Sequence, residues 1–492
     1  MWSAAHTTHR RGERRVSVST LALPVLLALA LIGVLLALRD WRTGVMLLLV
    51  WLVFEDLPRK YLGNNLLIFF GKDLLAGAVY ISFLLQLAAR RVRLFQASFL
   101  VPLYLFMGLG VVQVLNPHSP NLLYGVMGLK IYFYYVPLMF VGHALIRNHA
   151  DLDRLLITML STALVVAALG LTQAVVGIEF LTPQELAPEL EALGRELRTA
   201  PISGLSFYRP TSVFVSEARF GSYMFLMFVL AIGTWAYTSL ARRRWEPLAG
   251  ATVIFTALGL FVHGSRAGVL FGSASAVVMC CALFGTRLLD RASRVSLARQ
   301  LRVMAAAVGV AAAGYALAFP DVVVARWAQY AETLSPFSPA SELFWRVWGY
   351  PWMNLQGAFG PPTWLVGQGI GVASLGVQYL APLVGAPSSG VVESGYGTLV
   401  LELGIGGLIL WIVWSTVLVS ASVRAVSRLA GRETLPIGVS ILWFAFLLLF
   451  PFTFGALSGY QNYLSNALFW LLVGVLFRLP TLANEFKMLR ST

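Results

Sequence analysis

Long apolar runs separated by short polar segments fill most of this 492-residue chain. A run of about 20 apolar residues is long enough to cross a bilayer as a helix. The pattern therefore predicts an all-α fold, a polytopic transmembrane helical bundle of about 12 to 13 spans. The predicted spans are residues 20–38, 43–54, 66–88, 96–114, 127–145, 155–176, 220–240, 248–263, 267–285, 303–319, 396–419, 436–452 and 462–478.

Arginine-rich loops set the expected orientation, because cytoplasmic loops of membrane proteins are enriched in Lys and Arg. Placing four of these loops in the cytoplasm makes the spans alternate consistently from residue 66 to a cytoplasmic C-terminus. The four loops are at 90–93, 242–244, 287–302 and 424–432. The Arg-rich N-terminus fits the same side if 43–54 is a short or tilted element. The first apolar run continues to Leu38 without a clear small-residue cleavage site, so a retained span is favoured over a signal peptide.

The same pattern divides the chain into segments, two of them long and extracytoplasmic. The segments are a basic tail (1–19), an N-terminal transmembrane bundle (20–319) with an outer segment (177–219), a long periplasmic loop (320–395), C-terminal spans (396–480) and a cytoplasmic tail (481–492). Residues 183–197 resemble a short amphipathic helix. The long loop is rich in Trp, Tyr and Phe, which fits interfacial helices on the outer leaflet and also fits sugar-stacking surfaces.

The composition agrees with a membrane protein, because 58% of the residues are hydrophobic and 12% are charged. Soluble domains carry about 25% charged residues. The net charge is +14, but its arginines lie in short loops rather than on a soluble basic face, which argues against nucleic-acid binding. Cys280 and Cys281 are adjacent in an apolar run, which indicates simple packing.

Four arginines lie on the predicted outer side, where the positive-inside rule disfavours them. Arg266 lies in a glycine-containing turn with His263, Arg209 and Arg219 precede a span, and Arg346 lies in the long loop. Arg266 could simply be a snorkelling or turn-capping residue. Guanidinium groups bind phosphate oxygens bidentately, however, so several together indicate a site for a phosphate or pyrophosphate group.

Two carboxylates complete the candidate site. Glu393 stands where a span begins on the predicted outer side, and Glu402 follows within the same span. An intramembrane carboxylate is either functional or engaged in a structural hydrogen bond or ion pair. Asp151 and Asp153 form an Asp-x-Asp pattern, but they precede a span where Asp commonly starts a helix. No cluster has metal-ligand spacing, so we expect a metal-independent site without a cofactor.

Several of these motifs resemble the bacterial O-antigen ligase and polysaccharide polymerase superfamily. The matching segments are Gly264-Ser-Arg-Ala-Gly268, Arg346-Val-Trp348 followed by Gly367-Gln-Gly-Ile-Gly371, Glu393-Ser-Gly-Tyr396, Glu402-Leu-Gly-Ile-Gly406 and Arg209-Pro-Thr-Ser-Val-Phe214. Their order, sidedness and spacing carry the resemblance, which covers residues 200–410 by motif. The ligases carry a His where this chain has Glu393. That departure weakens a ligase assignment and is compatible with a polymerase, in which a carboxylate can be the base.

The resemblance implies a glycosyltransferase at the periplasmic face of the bacterial inner membrane. Its donor would be a glycan on undecaprenyl pyrophosphate, and its acceptor another glycan. Glu393 would be the general base and Arg266 would stabilise the leaving pyrophosphate, with Arg209, Arg219 and Arg346 as helpers. His263, Tyr396 and Glu402 are possible supporting residues. A chain-length regulator or another polysaccharide-export protein is an expected partner, in addition to membrane lipids.

Three other functions fit parts of the pattern. A ligase would use the same chemistry but transfer the finished glycan to lipid A-core or another acceptor. A flippase or other transporter of lipid-linked oligosaccharides would also need arginines for pyrophosphate, but deep in a central cavity rather than at outer turns. A non-enzymatic scaffold of an export machine would need none of these residues.

Overall fold

The computed structural model describes residues 23–63, 66–89, 94–182, 197–285, 288–374 and 393–491. In these ranges the protein is almost entirely helical. The helices are α1 (Leu23–Arg39), α2 (Trp41–Phe54), α3 (Asp56–Leu62), α4 (Leu66–Ala88), α5 (Leu100–Gln113), α6 (Leu122–Phe133), α7 (Leu138–Leu145), α8 (His149–Val176), α9 (Glu217–Leu240), α10 (Glu246–Val262), α11 (Arg266–Cys280), α12 (Arg291–Ala318), α13 (Pro320–Leu334), α14 (Tyr350–Ala358), α15 (Gly395–Ser427), α16 (Leu435–Leu447) and α17 (Tyr463–Ser491). A two-stranded sheet pairs β1 (Leu197–Thr199) with β2 (Ser206–Tyr208).

The predicted all-α, multi-pass membrane fold is confirmed. In the described residues, nine helical segments are long and apolar enough to cross a membrane. Four shorter apolar helices, α1, α2, α5 and α10, correspond to the remaining predicted spans. The short helices expected within the long outer loop are also present as α13 and α14.

The helix limits differ from the predicted spans because a helix begins at its capping residue and not at its first apolar residue. Asp290 accepts a hydrogen bond from the backbone N–H of Ser293 (3.2 Å), so α12 begins at Arg291 rather than at 303. Asp151 lies in the first turn of α8, as expected for a helix-start residue. At the C-terminal end, α17 continues to Ser491 instead of ending near residue 480.

Some predictions concern segments outside the described residues. These are the basic tail (1–19), nearly all of the amphipathic helix expected at 183–197, the arginine loop at 90–93 and the part of the long outer loop at 375–392.

The first of two compact units comprises residues 1–93, 165–198 and 208–220. Its apolar core includes the packing of Trp41 on Phe83, with ring centroids 5.2 Å apart. Its described residues also include buried charged side chains, namely Glu55, Asp56, Arg59, Lys60 and Lys72.

The second compact unit comprises residues 94–164, 199–207 and 221–492. Its core is aromatic: Trp411 packs edge-to-face on Trp414 (5.0 Å) and on Tyr460 (4.9 Å), and Trp414 stacks on Trp470 (5.8 Å). Buried aromatic pairs of this kind contribute about 0.5–1.5 kcal/mol each beyond the area they bury. This core fixes α15, whose first turn belongs to the candidate site.

Candidate functional site

Arg266 is presented by a tight turn between α10 and α11. Gly264 has a φ of +76°, in the left-handed region that favours glycine. The Ser265 hydroxyl then accepts a hydrogen bond from the backbone N–H of Gly268 (3.2 Å) and caps α11. Arg266 is therefore the first residue of α11, with its side chain projecting from the start of the helix.

Side chains of α13 hydrogen-bond to the backbone just before this turn. The Nε of Arg326 donates a hydrogen bond to the Val262 carbonyl (2.9 Å), and the Tyr330 hydroxyl donates to the Phe261 carbonyl (2.7 Å). Both acceptors belong to the last residues of α10, whose carbonyls have no partner within the helix. The buried Arg326 therefore caps the C-terminal end of α10. This contact positions Val262, four residues before Arg266.

Arg266 and two other predicted residues meet in one cluster. Nη1 of Arg266 binds Oε2 of Glu342 at 2.8 Å, and Nε of Arg346 binds the same oxygen at 3.0 Å. Nη1 of Arg346 also reaches Oε1 of Glu393 at 3.4 Å. We name Arg266, Glu342, Arg346 and Glu393 the arginine–glutamate cluster. It places two guanidinium groups around a single carboxylate oxygen.

Charge within the cluster is balanced, with two cations and two carboxylates. Partial burial alone would raise the pKa of Glu342, but the hydrogen bond from Arg346 and the charges of Arg266 and Arg346 outweigh it, and that pKa lies below its usual value. Burial would lower the pKa of Arg346, but Glu342 and Glu393 raise it instead. Both groups are therefore ionised at neutral pH. An entering anion would have to take the place of Glu342 on the two charged guanidinium groups.

Glu393 lies two residues before the start of α15. The next residue, Ser394, caps the helix by accepting a hydrogen bond from the backbone N–H of Gly397 (3.2 Å). About half of the Glu393 side chain is exposed, so its carboxylate can be approached by a polar group from outside. Accessibility of this kind is the geometric requirement for a general base, which must lie within hydrogen-bond reach of the proton that it takes.

Comparisons with protein-family models, with curated proteins and with solved structures find no match to this chain. The resemblance to the O-antigen ligase and polymerase superfamily therefore stays a prediction that rests on the motifs alone.

Arg209 and Arg219 belong to the first compact unit, and each already binds a carboxylate there. Nη1 of Arg209 contacts Oε1 of Glu217 at 3.3 Å. Nη1 of Arg219 binds Oδ2 of the fully buried Asp56 at 2.6 Å. Their predicted role as pyrophosphate ligands stays a prediction.

The segment that carries Arg209 is held by buried polar groups that the sequence did not reveal. Oε1 of Gln173 accepts hydrogen bonds from the backbone N–H groups of Thr211 (2.8 Å) and Ser212 (2.7 Å). Nζ of Lys60 donates to the Thr211 hydroxyl (2.9 Å), the Ser212 carbonyl (2.7 Å) and the Thr182 hydroxyl (3.1 Å). The Pro-Thr-Ser motif at 210–212 is thus a structural anchor within the first unit.

The remaining predicted residues have defined contacts. Glu402 is buried, and its carboxylate accepts hydrogen bonds from the Tyr132 hydroxyl (2.7 Å) and from the backbone N–H of Ala373 (2.9 Å). His263 is buried with its ring against Gly221. Tyr396 is half-buried, and its ring lies 6.3 Å from that of Phe454. Glu402 therefore has the structural hydrogen bonds that were one of its two predicted alternatives.

The Gly-x-Gly-x-Gly stretch packs against a break in α15. Gly367, Gly369 and Gly371 all have φ between +81° and +104°. The backbone N–H of Gln368 donates to the Leu401 carbonyl (2.7 Å), and that of Gly369 donates to the Glu402 carbonyl (3.0 Å). These bonds satisfy α15 carbonyls next to Gly404, where the helix is non-helical (φ +70°). Glycine at these positions allows the positive φ angles and lets the loop backbone pack closely against the backbone of α15.

Glu342 is the cluster member that sequence reasoning missed. It lies four residues before Arg346, the spacing at which a glutamate and an arginine pair on one helical face. That spacing, in a loop with few charges, is a signal that could have identified it. Nothing in the sequence joins Glu342 to Arg266, which is 76 residues away.

Replacing Glu342 by glutamine is expected to tighten binding of inorganic pyrophosphate roughly threefold to tenfold, because the carboxylate that occupies both guanidinium groups loses its charge. Stability should change by less than about 1 kcal/mol, since the residue is partly exposed. Isothermal titration of the purified protein measures the affinity. Glu332→Gln, which removes a carboxylate from α13, is the control and should bind like the wild type. Weaker binding by Glu342→Gln would show that Glu342 is needed to orient the two arginines.

Proposed function

We propose that this protein is a glycosyltransferase that polymerises oligosaccharide repeat units carried on undecaprenyl pyrophosphate, at the periplasmic face of the bacterial inner membrane. The observation that carries the proposal is the arginine–glutamate cluster, in which Arg266 and Arg346 converge on one anionic oxygen while Glu393 stays accessible. The motif resemblance supplies the substrate class.

In the proposed reaction, the acceptor hydroxyl attacks the anomeric carbon of the lipid-linked donor. The carboxylate of Glu393 takes the hydroxyl proton as general base. The bond between the anomeric carbon and the phosphate oxygen breaks, and undecaprenyl pyrophosphate leaves. A single displacement inverts the anomeric configuration.

The leaving group develops negative charge on its phosphate oxygens, and preorganised cations are the most effective groups for stabilising such charge. Arg266 is held by the capped turn and Arg346 by the turn of helix that begins at Glu342. In the proposed reaction, both exchange Glu342 for an oxygen of the leaving pyrophosphate. The donor carries its own leaving group, so the reaction consumes no nucleotide.

The proposal is tested in a bacterial strain that lacks the gene. A strain without the polymerase should accumulate lipid-linked single repeat units, and the wild-type gene should restore long chains. A ligase defect would instead leave long lipid-linked chains that are never transferred. An unchanged glycan profile after deletion would contradict both functions.

A further inference from the structure

Glu402 is a fully buried carboxylate within α15, and its partners come from two other parts of the chain. Oε2 accepts a hydrogen bond from the Tyr132 hydroxyl on α6 (2.7 Å), and Oε1 accepts one from the backbone N–H of Ala373 (2.9 Å). In the part of the chain that the structure describes, neither lysine nor arginine pairs with this carboxylate. A carboxylate within a span is costly, so these hydrogen bonds from neutral groups are what make its burial tolerable.

Glu402 also lies at the break in α15. The helix is interrupted at Gly404, and such an interruption leaves the preceding carbonyls without partners in the next turn. The Glu402 carbonyl instead accepts from the backbone N–H of Gly369 (3.0 Å). We name residues 365–374 the glycine loop. Glu402 therefore binds this loop twice, with its carbonyl at Gly369 and with its carboxylate at Ala373.

The first half of α15, residues 395–403, acts as a rod with a contact at each end. Its nine residues span about 13 Å, with Glu402 near the inner end and Glu393 just beyond the outer end. At the outer end, Gly395 lies so close to the Thr453 carbonyl that a side chain at Gly395 would clash. At the inner end, the glycine loop and α6 hold Glu402. The direction of a rod is fixed only when both of its ends are held.

Glu393 depends on this rod for its position. Within the described residues, its side chain makes one polar contact, with Nη1 of Arg346 at 3.4 Å. That distance is longer than the about 2.7–2.9 Å usual for a charged pair, so the contact holds the carboxylate loosely. The backbone of α15 therefore sets where Glu393 stands. An error of about 1 Å in the placement of a reacting group can lower a rate 100-fold.

We infer that Glu402 is a positioning residue for Glu393. Its carboxylate joins the first half of α15 to α6 and to the glycine loop, and this fixes the end of the helix that carries the base. The inference rests on the proposed function, because Glu393 is the proposed base. It gives the second carboxylate of α15 a defined task that involves no contact with the substrate.

Two substitutions of Glu402 separate its hydrogen bonds from its charge. In Glu402→Gln, the amide oxygen can accept from Ala373, and the amide nitrogen can donate to the Tyr132 hydroxyl, which also accepts. This variant should keep kcat within about threefold of the wild type. Glu402→Leu loses both bonds and should lower kcat roughly 10- to 100-fold. KM for the lipid-linked donor should stay within about threefold, because Arg266 and Arg346 remain.

A double-mutant cycle with Glu393 distinguishes positioning from general support of the fold. In the Glu393→Gln background, Glu402→Leu should change the residual rate by less than about threefold, because the base that it positions is already absent. A residue that only supports the fold would lower the rate by the same factor in both backgrounds. That outcome would overturn the inference, and so would a loss in Glu402→Gln as large as that in Glu402→Leu.

A milder variant keeps the test usable if Glu402→Leu does not fold. Tyr132→Phe removes one of the two bonds to Glu402 and should lower kcat roughly threefold to tenfold. Its matched control is Tyr223→Phe, which removes the hydroxyl of another buried tyrosine, 3.1 Å from the Thr162 hydroxyl. The control should leave kcat unchanged. Equal effects of the two substitutions would contradict a specific role for the Tyr132–Glu402 bond.

Hydrogen–deuterium exchange tests the same connection without any turnover. On full-length protein in lipid nanodiscs, Glu402→Leu should speed exchange of the amides at 393–398 roughly tenfold, whereas Glu402→Gln should not. Faster exchange confined to the glycine loop, or spread equally over all helices, would overturn the inference. Failure of the proposed function has a different appearance, because wild-type protein would then transfer no sugar whatever the exchange pattern.

Discussion

Replacing Glu393 by glutamine is expected to lower the rate of glycan transfer by about 100- to 10,000-fold, the usual contribution of a general base. The amide has nearly the same shape as the carboxylate and can still accept a hydrogen bond from Arg346, but it cannot take the acceptor proton. Binding of the lipid-linked donor should be kept, because Arg266 and Arg346, the proposed ligands of its pyrophosphate, are both still present. Initial rates with purified protein measure the effect on kcat.

A matched control for this variant is Glu433→Gln. Glu433 is also a partly exposed carboxylate paired with an arginine, Arg243, but it lies in a loop predicted to face the cytoplasm. Its replacement should leave the transfer rate within about twofold. If Glu393→Gln transfers glycan as fast as the wild type at equal protein levels, Glu393 is not the base.

Replacing Asp56 by alanine is expected to destabilise the protein by about 3–5 kcal/mol, the usual result of removing one partner from a buried ion pair. Asp56 is fully buried. Its oxygens accept from Nη1 of Arg59 (2.7 Å), from Nη1 of Arg219 (2.6 Å) and from the backbone N–H of Val215 (3.2 Å). The variant loses all three bonds. The midpoint of thermal unfolding in detergent, followed by tryptophan fluorescence, should fall clearly.

The control for stability is Asp321→Ala, which removes an exposed aspartate from the first turn of α13. It should cost less than about 1 kcal/mol, the size of a favourable helix-dipole contact. Equal unfolding midpoints for Asp56→Ala and the wild type would mean that the buried ion pairs of the first unit do not stabilise it.

The helices could be predicted well from the sequence because the bilayer requires a continuous apolar run for each span. Where a helix begins was harder to predict. Asp290 and Ser394 cap helices through hydrogen bonds of their side chains, and such caps lie outside the apolar run. The break at Gly404 was also hidden, since it depends on a distant loop that supplies N–H groups to α15.

Of the candidate site, the sequence identified the unusual residues but not their partners. The sequence pointed to Arg266, Arg346 and Glu393 because they are charged residues at predicted outer positions. The structure brings these three side chains into one cluster. Glu342, which joins them, was not predicted, because its contact with Arg266 spans 76 residues of sequence. Asp56 was hidden in the same way, since its partner Arg219 is 163 residues away. Long-range ion pairs leave no local pattern in the chain.

The most direct test of the central claim is release of undecaprenyl pyrophosphate by purified protein in lipid nanodiscs, supplied with lipid-linked repeat units and EDTA. We expect the wild type to release the lipid and to form longer glycan chains in the presence of the chelator. Glu393→Gln and Arg266→Ala should both lose this activity. Full activity in both variants would show that the arginine–glutamate cluster is not the active site, and activity that requires added divalent metal would contradict a metal-independent reaction.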